Sequence, residues 1–285
     1  MAAYSIQLNL ADQPTTLTFE LDETKGCQRD ILQGLRAGQL YSSDVSLFLI
    51  NVLKPGDSFI DIGANIGFFS VLAAKLTAPD GHTFSFEADT ENFTGLVRHG
   101  EVNALQNFTP VCQPVSDSVE QRPFFTNSDD EGGHALWDPG TFPRNDNSRI
   151  NPSSELRQTV TLDSYFGNRT DIAAPKAIKI DIEGAEELAL RGAANLLSSG
   201  DIPFVICELH EFGLQKLGGS QQSLRQLMKD HGYDTFLLPL DGNLPKLIPY
   251  GINLRSKYFL NILFSKPEDL VTYWPDVDVM PGEGG

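Results

Sequence analysis

The residues best suited to chemistry in this sequence are carboxylates at the ends of short apolar runs. Asp61 sits in Phe59-Ile60-Asp61-Ile62, Glu87 follows Phe84 and Phe86, Asp181 follows Ile178-Lys179-Ile180, and Glu208 and His210 follow Phe204-Val205-Ile206-Cys207. Each run is short, rich in β-branched and aromatic residues and bounded by turn signals, so each is expected to be a strand. Two of them lead into glycine turns: Gly63-Ala64-Asn65-Ile66-Gly67 before one helix pattern, and Asp181-Ile182-Glu183-Gly184 before another. In an open parallel sheet, ligands lie outside the carboxyl ends of the strands, so these carboxylates are expected at one crevice despite their separation in sequence.

The first turn limits what that crevice binds. Gly63 permits a sharp turn, Gly67 lets the helix pack closely, and the amides at the helix start are free to face a ligand. The Gly-x-x-x-Gly spacing lacks the three-glycine loop that cradles a pyrophosphate. Asp61, standing where phosphates would lie, would repel them and suit an ammonium group instead. S-adenosylmethionine, whose methionine end carries an ammonium and no phosphate, fits this pattern. Glu87, 24 positions after Gly63, is placed to accept hydrogen bonds from both ribose hydroxyls. Asn65 either holds the loop through its backbone or meets the methionine carboxylate, and Asn103 reads equally as a helix terminus.

With both motifs in view, the sequence resembles the FkbM family of S-adenosylmethionine-dependent methyltransferases. The matching residues are Asp61 to Gly67, Phe86-Glu87-Ala88 with Asn92 and Asn103, Lys179 to Glu186, and Pro203 to Glu208, in order along the stretch from about Leu53 to Leu238. The resemblance implies a Rossmann-like α/β fold: a seven-stranded sheet with helices on both faces and an antiparallel last strand. It also implies methyl transfer to a hydroxyl of a small metabolite or sugar. The family's pattern carries the chain past the adenine at Gln113 and Ser116, although Ser116-Asp117-Ser118 reads equally as a hairpin turn. The expected cofactor-binding set is thus Asp61, Gly63, Asn65, Gly67, Glu87, Ser116 and Asp181. The alternatives are a nicotinamide-dependent oxidoreductase, which would need the missing phosphate loop, and an inactive Rossmann-like binding module.

Methylation of an alcohol gains from close, in-line placement of the reactants and from a base. Asp181 is expected to orient the cofactor or the acceptor hydroxyl. Glu208 and His210 share a face at period two, and His210, titrating near neutrality, is the candidate base. His134 is a weaker candidate, while His82, His99 and His231 look peripheral. Asp181, Glu183 and Glu186 together could attract magnesium or calcium, but no histidine joins them and carboxylates at a helix start are ordinary, so no metal is assigned.

The elements that must position these groups follow from pattern. Residues 4–10 and 15–21 alternate around Asp12-Gln13-Pro14 as a hairpin, and Ser42-Ser43-Asp44 opens a helix, giving an N-terminal extension over 1–54 that packs on the core. Strands and helices then alternate through a Rossmann-like domain over 55–266, starting with a strand at 58–62 and a helix from Ile66, and later a helix from Gly184. The stretch 127–157 is polar and rich in Gly, Pro and Asn yet carries Leu136, Trp137 and Phe142, and is read as a substrate-side lid. Residues 267–285 read as an acidic tail, frayed at Pro281-Gly282-Glu283-Gly284-Gly285.

A net charge of −17 and a pI near 4.6 argue against nucleic acid or an anionic membrane surface as a partner. Three widely spaced cysteines read as reduced thiols, and no leader or membrane span is evident in 285 residues, so a cytoplasmic protein is expected.

Overall fold

The computed structural model describes residues 2–10, 13–167, 174–256 and 260–274. The N-terminal hairpin pairs β1 (Ala2–Leu10) with β2 (Gln13–Leu21) antiparallel. Its turn is tighter than the sequence suggests, since Pro14 and Gln13 already pair with Asn9 and Leu10; Asp12 lies outside the described residues. Period-two alternation puts Leu17, Phe19 and Leu21 on one buried face, where Phe19 stacks on Phe68 at 5.3 Å between ring centroids.

The remaining strands are β3 (Ser58–Ile62), β4 (His82–Phe86), β5 (Phe108–Val111), β6 (Gln121–Thr126), β7 (Ser153–Gln158), β8 (Pro175–Ile180), β9 (Phe204–Glu208), β10 (Asp234–Leu237), β11 (Lys246–Leu247) and β12 (Asn261–Ser265). The main sheet runs β11-β10-β12-β9-β8-β3-β4-β5. Strands β5, β4, β3, β8 and β9 are parallel, and β12 lies antiparallel between β9 and β10. The seven expected strands are all present with the expected antiparallel last strand. The two-residue β11 adds an eighth at the edge, too short to show any periodicity. All five residues of β3 are buried, as a central strand covered on both faces requires.

Helices cover both faces. Gly26–Arg36, Ser43–Val52 and Phe68–Thr77 share one core with the hairpin, and Leu162–Phe166, Glu186–Arg191 and Gln221–Asp230 share the other. Two helices start later than expected, at Phe68 and Glu186. The residues before them take positive φ values, 50° at Asn65, 91° at Gly67, 55° at Glu183 and 100° at Gly184, which no right-handed helix contains.

Two boundaries move. β6 and β7 form a separate antiparallel ladder, so residues 153–157 of the expected lid belong to a strand. That strand is almost wholly exposed and therefore shows no apolar alternation. The expected tail begins instead as the helix Pro267–Val271, with Leu270 buried and Trp274 stacked on Phe48 at 5.9 Å. The chain beyond Trp274, including Pro281 to Gly285, lies outside the described residues. Among the described residues no helix is long and apolar enough to cross a membrane.

Candidate active site

A cavity of about 480 Å³ opens at the carboxyl ends of β3, β4, β8 and β9, lined among others by Gly63, Asn65, Glu87, Gln113, Asp181 and Glu208. Gly63 (φ 76°) makes the turn after β3, and a Cβ there would lie 1.8 Å from the Asp181 carbonyl oxygen. The Gly63 and Ala64 amides both donate to the Phe86 carbonyl, which straps this turn to the end of β4. Asn65 stabilises the turn locally, its Oδ1 accepting the Ile66 amide at 2.7 Å. Glu87 accepts the Asn65 amide and the Asp89 amide, both at 2.7 Å. Burial pushes the Glu87 carboxyl up to about 7 even though those two amides favour its charged form.

Several expected residues stand behind the wall rather than on it. Asp61 is fully buried; one oxygen accepts from Ser70 Oγ at 2.6 Å and the other lies 3.8 Å from Lys179 Nζ. The ammonium that its position called for is supplied by the protein's own lysine, so direct contact of Asp61 with a ligand is corrected to a role beneath the site. Gly67 is likewise not at the wall: it provides close packing, as expected, with a Cβ there 2.6 Å from Leu96 Cδ1. Ser116 is fully buried, its amide bonded to the Val160 carbonyl and its hydroxyl to Asp117, so Gln113 alone of that pair reaches the cavity. Asn103 clamps the hairpin, exchanging bonds with the Thr18 amide and carbonyl. His99 is not peripheral. It is buried, accepts the Glu20 amide at Nε2 and meets the Ile66 carbonyl through Nδ1 at 2.6 Å.

The cavity is acidic around the ends of β8 and β9. Carboxylate oxygens of Asp181, Glu183 and Glu208 all lie within 4.8 Å of one another, a set that could face a cation. Lys179 Nζ is already there, 3.1 Å from Asp181. Burial works to lower the Lys179 pKa, but Asp181 and Asp61 outweigh it and the group is held raised. Burial, and then the neighbouring carboxylates, hold Glu183 and Glu208 well above the usual carboxylate range.

His210 is beside this cluster but is not part of the cavity wall. Its Nδ1 accepts the Gly213 amide at 2.9 Å, and its Nε2 lies 3.4 Å from Glu183. Both ring nitrogens are thus engaged, and burial lowers its pKa, so the geometry does not present it to a substrate as a free base. His134 does line the cavity, accepting the Asn127 amide at Nδ1.

Residues of the insertion bond to elements around the cavity. Glu131 accepts the Gly26 amide at the start of the helix Gly26–Arg36, its carbonyl accepts from Asn92 Nδ2, and Trp137 donates to the Glu183 carbonyl at 2.5 Å. The role of Lys179 was not foreseen, and Glu183 and Trp137 were expected only as members of the acidic cluster and of the lid. Lys179 was within reach, since it stands two residues before Asp181 and must share its face of the strand. Trp137 and Glu183 meet only through the tertiary fold.

A doubly wound α/β sheet with an acidic, ligand-sized cavity at its strand ends defines a Rossmann-like protein built around a small-molecule site. The family profile of the methyltransferase FkbM domain matches residues 61–235, more than half of the sequence, and the chain belongs to the FkbM methyltransferase family. A similar protein is the hexuronic acid methyltransferase AglP of Haloferax volcanii, 22% identical over 167 residues. That match covers 59% of this chain and 62% of the relative's length. Similar solved structures include methyltransferase FkbM from Methylobacillus flagellatus, with 14% identity, a TM-score of 0.42 and coverage of 83% of this chain and 60% of that one. Another is the O-methyltransferase from Bacillus cereus in complex with SAH, with 12% identity, a TM-score of 0.44 and coverage of 86% and 90%.

Proposed function

We propose that this methyltransferase is S-adenosylmethionine-dependent and directs the methyl group to a hydroxyl of a sugar or small metabolite. The observation that carries the reading is the set of carboxylates lining the cavity at the strand ends. Glu87 stands after β4 beside the Gly63 turn, where a ribose would be bound, and Asp181, Glu183 and Glu208 converge around the ends of β8 and β9, where a sulfonium and an acceptor would meet. Gly63, Asn65 and Glu87 would hold the nucleoside, with Gln113 beside the base. Asp61 and Gly67 act from beneath by fixing Lys179 and the helix. Asp181, neutralised on one side by Lys179, would orient the methionine end. When bound, the cofactor supplies the electrophilic methyl group; the chain contributes placement, a closed cavity and acceptors for the hydroxyl proton.

A sugar hydroxyl is the favoured acceptor because the relative AglP is a hexuronic acid methyltransferase. Three free cysteines, one of them buried in β9, suit a reducing cytoplasm. Calorimetric titration with S-adenosylhomocysteine, with NADH as control and EDTA-treated protein alongside, tests the cofactor. Micromolar binding of the first ligand alone is expected, unaltered by EDTA. Methyl glycosides of glucose, mannose and glucuronate then test the acceptor. Preferential binding of NADH would replace this reading with the oxidoreductase, and binding of neither ligand with the inactive module.

A further inference from the structure

Glu183 is held from two sides by residues of distant parts of the chain. Its backbone is left-handed at φ 55°, and the following Gly184 packs so tightly that a Cβ there would lie 2.2 Å from the carbonyl carbon of Gly213. A non-glycine residue in that region is maintained only when its surroundings over-determine it. Trp137, from the insertion, donates its indole N–H to the Glu183 carbonyl at 2.5 Å and stacks on His210 at 5.8 Å between centroids, 23° between planes. His210 in turn approaches Glu183 Oε2 through Nε2 at 3.4 Å. Because Nδ1 accepts the Gly213 amide, the neutral ring carries its proton on Nε2, where it faces the carboxylate.

The other two carboxylates of the cluster are placed differently. Asp181 is paired with Lys179 at 3.1 Å, and a Glu208 carboxylate oxygen lies within 4.8 Å of those of Asp181 and Glu183. Glu183 lines the cavity, and the neutral His210 imidazole faces its carboxylate through Nε2 at 3.4 Å. Burial first, then the charges of Asp181 and Glu186, raise its proton affinity, which suits a group that must take up a proton.

We propose that Glu183 accepts the proton of the acceptor hydroxyl and that Trp137 and His210 are its positioning residues, so that the base is set when the 127–150 insertion is docked. The proposal rests on the methyl-transfer reading above. In the step, the acceptor oxygen forms a bond to the methyl carbon as its proton passes to the Glu183 carboxylate. The carbon–sulfur bond breaks with its electron pair going to sulfur, so a sulfonium, an alcohol and a carboxylate become a thioether, a methyl ether and a carboxylic acid.

Two readouts test it. Trp274→Phe leaves Trp137 as the sole tryptophan, and its emission is followed from pH 5 to 9 without any acceptor. A titration step is expected, and Glu183→Gln is expected to abolish it. In turnover with the methyl glycosides, Glu183→Gln should lower kcat by about 100-fold or more and remove the acid limb of the kcat–pH profile, with S-adenosylhomocysteine affinity within about threefold. Trp137→Phe, which keeps a ring but loses the donor, should lower kcat by about tenfold and displace that acid limb, an effect that lost stability alone would not produce. Retention of the acid limb in Glu183→Gln, or an emission step that survives that substitution, would overturn the proposal. Failure to bind S-adenosylhomocysteine or to methylate any glycoside would sink the functional reading and the base role with it, while the emission titration still decides whether Trp137 senses Glu183.

Discussion

Asp61 Oδ1 lies 3.8 Å from Lys179 Nζ, and the two residues are register partners on adjacent parallel strands. The same register places Ser85 on the other side of Asp61, and Ser70 Oγ links the two by accepting from Ser85 at 2.8 Å while donating to Asp61 at 2.6 Å. One oxygen of this carboxylate, buried on a central strand, is hydrogen-bonded within the protein, while Oδ1 has no hydrogen-bond partner and only the Lys179 ammonium nearby. Lys179 is shared between this carboxylate and Asp181, which does reach the cavity, so Asp61 influences the site by fixing where one ammonium sits.

Removing Asp61 should therefore cost stability first. Asp61→Ala leaves Lys179 with one paired carboxylate, Asp181, in a buried setting and is expected to destabilise the protein by about 3–5 kcal/mol. The double variant Asp61→Ala with Lys179→Met should recover part of that loss, since it removes both charges. The Lys179 pKa is raised above its ordinary 10.5, so its stabilisation is complete below about that pH and is lost only in more alkaline solution. Burial also raises the Asp61 carboxyl above its ordinary 3.8, so its own contribution falls as pH rises, and the urea-unfolding deficit should be no larger at pH 8 than at pH 6. Wild-type stability in Asp61→Ala, together with complete loss of S-adenosylhomocysteine binding, would instead make Asp61 a ligand contact.

Glu87 makes cofactor binding pH-dependent. Its carboxyl titrates at about 7 in the folded protein, against an ordinary 4.5, because burial outweighs the two amides that it accepts. The protonated form replaces an acceptor with a donor, so affinity for S-adenosylhomocysteine should rise from pH 6 to pH 8 and then level off. Glu87→Gln should flatten that profile and weaken binding by roughly tenfold, about 1.4 kcal/mol. In the free protein the sign for stability is opposite: between 4.5 and 7 the native state keeps a proton that the unfolded chain releases, so this group's contribution falls as pH rises. Calorimetry at several pH values measures the first effect and urea midpoints the second.

The strands carrying Asp61, Glu87, Asp181 and Glu208 were legible because buried parallel strands are short apolar runs, and the glycine turns after two of them mark where a ligand can approach. The depth of each side chain was not. Asp61 and Glu87 both belong to strands whose ends reach the crevice, yet one lies inside the sheet and the other at the wall, a difference set by register and twist. His210 looked like a base because of its residue type, whereas its engagement by Gly213 and Glu183 depends on a helix start packing against a glycine. The β6–β7 ladder escaped notice because its exposed residues have no reason to alternate. Lys179 could have been found by asking which residue shares a face with Asp181.

Gly63 tests how narrowly the first turn is specified. At φ 76° an alanine is strained, and its Cβ would meet the Asp181 carbonyl oxygen at 1.8 Å, a backbone atom that cannot swing aside. Gly63→Ala should therefore push β3 and β8 apart where the site is built. The expected result is a loss of roughly 3 kcal/mol or more in stability, with S-adenosylhomocysteine binding abolished. A Gly63→Ala protein with wild-type thermal midpoint and affinity would show that this approach is looser than described.

Glu131 ties the insertion to the N-terminal segment by a borrowed helix cap. The helix Gly26–Arg36 has no acidic residue in its first turn and no capping side chain of its own at Lys25. The Glu131 carboxylate fills that role from a distance of 105 residues, accepting the Gly26 amide at 3.0 Å and the Gln28 amide at 3.4 Å. Anionic acceptors at a helix start contribute on the order of 1 kcal/mol. Losing this one should affect the insertion more than the helix, because the helix has its buried face of Ile31, Leu32 and Leu35 while the insertion has few other anchors on that side. Glu131→Ala is thus expected to lower global stability by only about 1 kcal/mol yet speed limited proteolysis within 127–150 by roughly fivefold. Saturating S-adenosylhomocysteine should restore protection if the closed insertion covers a bound cofactor. Equal proteolysis rates in the two proteins would mean that the contacts of Trp137 and Asn92 hold the insertion down without help from the cap.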